Sequence, residues 1–193
     1  MPRKRRLLPI GQPCHVVNRG NDRRTLFAQD ADYHRFIALM AKGKQRYAVR
    51  IFSYNLIGNH FHMILCPMER YAVSAYMQWL QGRHGCHHRL ACQTVGDGHV
   101  YKGRFWADPV GTGPFHFFNV QRYIEANALA AGLVTRAGDW KWGSLWERET
   151  GGRVLLDPSP LILPANWVDI VNDVQPEPGT PGSDPYPVEE EEG

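Results

Sequence analysis

The sequence predicts an α+β fold in which an antiparallel sheet carries helices on one face. Three observations predict it. Short β-branched runs alternate with amphipathic helical stretches, and two of those runs are separated by a turn too tight for anything but a hairpin. The chain of 193 residues also has the length of a single domain with a substantial core.

The elements follow in order. "PCHVVNRG" (13–20) is β-branched and runs into a Gly-Asn turn, so it reads as a strand. In "DADYHRFIALMAKGKQR" (30–46), Tyr33, Phe36, Ile37 and Met40 recur at helical spacing, which predicts an amphipathic helix. "YAVRIFSYNLI" (47–57) and "HFHMILC" (60–66) are two strands joined at Gly58-Asn59, hence a hairpin. "YAVSAYMQWLQGRHGCHHRLA" (71–91) is a second helix, with Tyr76, Trp79 and Leu80 along one side. "HVYKGRFWADPV" (99–110) reads as a strand or extended arm, and "PFHFFNVQRYIEANALAAGLV" (114–134) as a third helix ending near Gly132. The order βαββα with a further helix is the ferredoxin-like plan.

Residues 1–170 form one domain with a basic arm over 1–10. Residues 171–193 hold five prolines, three glycines and seven acidic residues without Lys or Arg, and are expected to be a disordered, Pro-rich acidic tail. Setting the tail aside leaves 22 basic and 12 acidic residues, about +10, which suits a polyanion such as nucleic acid. No apolar run is long enough to span a membrane, and the basic N-terminus lacks a signal-peptide core, so a cytoplasmic protein is expected. Cys14, Cys66, Cys86 and Cys92 fit no disulfide framework and are expected to be reduced.

The chemistry starts from "GNHFHMILCP" (58–67). Side chains alternate along a strand, so His60 and His62 share a face, with Cβ atoms roughly 7 Å apart. Two such imidazoles can converge on one divalent cation. A pair of histidines alone is better explained by one hydrogen-bonded core residue and one exposed residue, so a metal site needs a third ligand. On the helix at 114–134, His116, Asn119, Tyr123 and Asn127 form a polar stripe beside the apolar stripe of Phe117, Val120 and Ile124. An amide oxygen from Asn127 with two imidazoles makes an open mixed N/O site suited to Mg²⁺ or Mn²⁺. Tyr123, one turn from Asn127, could be a nucleophile beside it.

Five blocks in order carry a family resemblance: "HVVNRGNDRRTLF" (15–27), "NHFHMIL" (59–65), "GHVYKGRFWADPV" (98–110), "RYIEANALAAGLV" (122–134) and "DWKWGSLWER" (139–148). With them the sequence resembles the IS200-like transposases, the single-tyrosine HUH nucleases, and within these the REP-associated tyrosine transposase branch. The resemblance implies an HUH endonuclease fold with His60 and His62 as the paired histidines, Asn127 as the third metal ligand and Tyr123 as the nucleophile. It implies a metal-dependent endonuclease and strand transferase acting on single-stranded or hairpin DNA through a 5′-phosphotyrosine. It favours a monomer over a homodimer. Where many relatives have Asn-Pro and then an arginine, this chain reads Asn127-Ala128-Leu129-Ala130, and Ala130 could cost one DNA contact.

DNA contacts are expected from Arg19, Arg23 and Arg24 around the turn after the first strand, from Lys102 and Arg104, and from Trp106, where cations alternate with stacking surfaces. The residues themselves name no general base; His116 is the candidate. Two rivals stand beside this reading. One is a zinc protein built on "HGCHHRLAC" (84–92), whose spacing matches no standard finger. The other is a catalytically inactive nucleic-acid-binding module of the same fold.

Overall fold

The computed structural model describes residues 8–94, 96, 98–111, 113–152 and 155–173. Strand β1 (Cys14–Arg19), helix α1 (Asp30–Lys44), strands β2 (Val49–Ile57) and β3 (His60–Pro67) and helix α2 (Ala72–Ala91) come first. Strand β4 (Trp106–Pro109) and helix α3 (Pro114–Ala130) follow, then the short helices α4 (Ser144–Thr150) and α5 (Trp167–Asn172). All strand pairs are antiparallel, in the order β2-β3-β1-β4, which is the ferredoxin-like arrangement.

The helices occupy both faces of the sheet, which corrects the expectation of one covered face. Phe61, Met63 and Leu65 of β3 join a cluster with Phe36 and Met40 of α1 and Tyr76, Met77 and Leu80 of α2. The alternate residues Ile64 and Cys66 join Phe117 and Ile124 of α3 on the opposite side. Both sets of β3 side chains are apolar beyond His62, and a strand apolar on both faces has to be covered on both.

A β-bulge keeps the hairpin in register with these two layers. Ile51 pairs with Leu65 and Ser53 with Ile64, so Phe52 is the extra residue. Ile51 faces the α1/α2 layer, while Phe52 belongs to the α3 layer and the Ser53 hydroxyl lies 3.4 Å from Glu125 of α3. Beyond the bulge Tyr54 and Leu56 return to the α1/α2 layer, and the Asn55 side chain donates to the Ile124 carbonyl of α3 at 2.8 Å. Without the extra residue, the strand's second half would present the wrong faces.

Helix α3 begins with Pro114, whose missing N–H costs nothing in a first turn. It is clamped from outside by α4 and α5. The buried Glu125 carboxylate accepts from Ser144 Oγ at 2.7 Å, Trp167 Nε1 at 2.7 Å and Arg148 Nε at 3.1 Å. Arg148 also donates to the Phe52 carbonyl at the bulge. Helix α5 buries Val171, so the domain boundary expected at 170 falls inside a helix. The tail beyond Asp173 and residues 1–7 of the basic arm lie outside the described residues.

Candidate active site

The α3-facing side of β1 and β3 carries three imidazoles. His60 and His62 alternate with Phe61 on β3, as expected, and their ring centroids lie 5.0 Å apart. His15 of β1 is the third. Its Nε2 is 3.0 Å from His62 Nδ1, and the two rings stack with centroids 5.3 Å apart. Sequence reasoning assigned His15 no role. A lone histidine in a β-branched strand carries no signal until the register with β3 is known.

Each of the two β3 histidines is held at Nδ1. His60 Nδ1 lies 2.8 Å from Asn59 Oδ1, and His62 Nδ1 meets His15. Their Nε2 atoms are left for the site. His60 Nε2 is 3.3 Å from Asn127 Oδ1, and His62 Nε2 is buried with no hydrogen-bond partner among the described residues. Burial pushes His15 down to about 4. Burial, with His60 and His15 adding to it, holds His62 well below the ordinary histidine value. Both imidazoles are therefore neutral at neutral pH, the form that offers a lone pair.

Helix α3 supplies the other half. Asn127 is buried and Tyr123, one turn earlier, is half-buried. The Tyr123 ring stands edge-on to His62, with centroids 5.5 Å apart, and to His15 at 6.1 Å. The four residues predicted for the catalytic and metal roles thus come together. Two imidazole nitrogens and an amide oxygen suit a divalent cation with open positions, and the orphaned Nε2 of His62 is the kind of buried atom such an ion satisfies. Among the described residues no three His, Cys, Asp or Glu side chains form a metal cluster.

His116 is exposed near the start of α3, and its Nδ1 accepts the Gly111 N–H at 2.8 Å. The imidazoles packed against Tyr123 are His62 and His15 rather than this one. The "HGCHHRLAC" segment is the last part of α2 and its C-cap Cys92; there buried His84 meets the Tyr101 hydroxyl at 2.7 Å and His88 meets the Thr25 carbonyl at 2.9 Å.

The predicted DNA-contacting residues divide into two groups. Arg19 is opposite His60 in the β1–β3 register, and Trp106 is opposite Val17 and edge-on to His15 at 5.7 Å, so both border the site. The Lys102 N–H donates to the Arg19 carbonyl at 3.0 Å, which puts exposed Lys102 on the same rim. Arg23 and Arg24 follow on the turn after β1, where Asp22 and Arg23 adopt positive φ. Arg104 lies apart, in a cleft of about 490 Å³ that Ser74, Gln78 and Gln81 of α2 also line.

Residues 11–127 match the family described as transposase, IS200-like, and the chain belongs to that family. The fold is shared with a REP-associated tyrosine transposase solved bound to a REP hairpin, at 18% identity and a TM-score of 0.61, over 86% of this chain and 96% of that one. A Deinococcus radiodurans protein assigned as a transposase aligns over 64% of this chain and 95% of its own, at 12% identity and a TM-score of 0.45. No curated protein matches the chain.

Proposed function

We propose that this transposase is a single-stranded DNA endonuclease and strand transferase of the REP-associated tyrosine branch, cutting at or beside REP-like hairpins through Tyr123. The observation that carries the reading is the convergence of four side chains. His62 Nε2 is orphaned, His60 Nε2 meets Asn127 Oδ1, and the Tyr123 ring packs on His62.

In this reading His60, His62 and Asn127 would hold Mg²⁺ or Mn²⁺. When bound, the cation would polarise the scissile phosphate and offset charge as the reaction proceeds. Tyr123 Oη attacks phosphorus, the bond to the 3′ oxygen breaks, and the phenol's proton is balanced by one taken up at the leaving oxygen. The products are a 5′-phosphotyrosine and a free 3′-hydroxyl. Because one ester replaces another, a second 3′-hydroxyl can reverse the step and join strands without ATP. Arg19 and Lys102 bind the backbone on the rim, and Trp106 offers a stacking face beside it. Arg23 and Arg24 extend the cationic path, and Arg104 offers a separate cationic contact in the cleft beside α2. The relative solved with a REP hairpin supports hairpin DNA as the partner.

The test is incubation of labelled hairpin DNA with the full chain and Mg²⁺ or Mn²⁺, followed by denaturing protein electrophoresis. Wild type should form a metal-dependent covalent adduct that Tyr123→Phe does not. Tight hairpin binding with no adduct in either metal would replace the nuclease by a DNA-binding module.

A further inference from the structure

His15 is outside the proposed catalytic set, yet it lies within the site. It bonds His62 Nδ1 at 3.0 Å and stands edge-on to both Tyr123 and Trp106. We propose that His15 is a positioning residue that fixes the tautomer of His62, so that His62 directs a lone pair rather than a hydrogen from Nε2 into the site. The inference rests on the metal-binding reading given above.

The argument is one of hydrogen counting. A neutral imidazole carries one N–H and one lone pair, and a bond between two imidazole nitrogens needs one of each. If His15 Nε2 donated, His62 would accept at Nδ1 and carry its hydrogen on Nε2. That hydrogen would sit on a buried atom with no acceptor; a lone pair there is equally unsatisfied in the metal-free chain, but a cation can satisfy the lone pair and not the hydrogen. If His62 Nδ1 donates, His15 Nε2 accepts and His62 Nε2 becomes a bare lone pair. The His15 hydrogen then lies on Nδ1, on a side chain that is 8% exposed rather than fully enclosed. His60 has the same pattern, with Asn59 Oδ1 at its Nδ1 and its Nε2 beside Asn127. Asn59 and His15 therefore act alike in this proposal, each meeting an Nδ1 so that the Nε2 faces the site. Outer partners of this kind change metal affinity by about 10- to 100-fold when removed.

Two substitutions separate orientation from packing. His15→Phe keeps a ring but removes the acceptor, whereas His15→Gln returns an oxygen near the place of Nε2. Titration of the full chain with MnCl₂ in a calorimeter should show affinity about 10-fold or more weaker in His15→Phe and largely restored in His15→Gln. Two-bond ¹H–¹⁵N correlation spectra of the metal-free wild type should show His62 protonated at Nδ1. That measurement decides the matter even if His15→Phe fails to fold. Unchanged Mn²⁺ affinity in a folded His15→Phe, or a hydrogen found on His62 Nε2, would overturn the role of His15 alone. Wild type that binds Mn²⁺ no better than His60→Ala would overturn the metal-binding reading, and this inference with it.

Discussion

The two faces of the sheet are built on different terms. On the α1/α2 face a single cluster runs from Phe36 and Met40 through Phe61 and Met63 to Tyr76 and Leu80, with buried His84 and Glu147 bonded to its tyrosines Tyr101 and Tyr54. On the α3 face the apolar residues split into two smaller clusters. Between and around these, His15, Ser53, Asn55, His62, Gln121, Glu125, Asn127 and Ser144 are buried. Apolar packing is non-directional and stabilises in proportion to area. Buried hydrogen bonds contribute less net stability but tolerate only one geometry. One face therefore supplies most of the stability, and the other uses polar contacts to set where α3 stands against β3.

Three perturbations test this division, in decreasing order of their effect on stability. Phe61→Ala empties the centre of the apolar face, where Phe61 is fully buried against Phe36. It should lower the unfolding free energy by about 3–5 kcal/mol in urea titration. A loss below about 1 kcal/mol would mean that the α3 face carries more of the stability than its composition suggests.

Acid should come next. Burial, with His88, His87 and Arg35 adding to it, pushes the α2 residue His84 down to about 3, while its Nδ1 holds the Tyr101 hydroxyl. The unfolded chain takes up this proton near pH 6.5 and the folded chain only near 3, so the contribution is complete above pH 6.5 and lost as pH falls toward 3. Between pH 7 and pH 5 the loss at this one residue should be about 2 kcal/mol. Urea titrations at both pH values should show that much less acid sensitivity in His84→Phe than in wild type. His15 and His62 shift in the same direction, so the α3 face should retain acid sensitivity in that variant.

The smallest effect on stability should come from the site itself. Asn127→Ala removes one 3.3 Å contact to His60 and should cost about 1 kcal/mol or less. The same change should weaken Mn²⁺ binding at least about 10-fold in calorimetric titration. A variant that loses stability and binds metal normally would make Asn127 a packing residue.

Most of the fold could be read along the chain. Periodicity located β1, β2, β3 and the three long helices to within a few residues, because each has a sustained apolar pattern and a turn or proline at its edge. His60, His62, Tyr123 and Asn127 were legible as two local pairs, one spaced by the strand period and one by the helical turn. What stayed hidden depends on which residues meet across the sheet. Helices on both faces, the extra residue at Phe52 and the contact of His15 with His62 all follow from strand register, which no single segment encodes. Glu125 was equally silent, since its partners Ser144, Arg148 and Trp167 come from later parts of the chain.

The placement of Tyr123 and Asn127 on one helix, with the histidines on the sheet, makes the proposed centre an interlock. The nucleophile and the third ligand ride on the same rigid body and arrive or depart together. A lifted α3 would strand the two histidines without their amide partner and carry the phenol away in the same movement. Half-assembled states, in which the tyrosine is presented to DNA beside an incomplete ligand set, are thereby excluded by helical geometry alone. Under the proposed function, the same turn of helix that builds the site also keeps it from firing piecemeal.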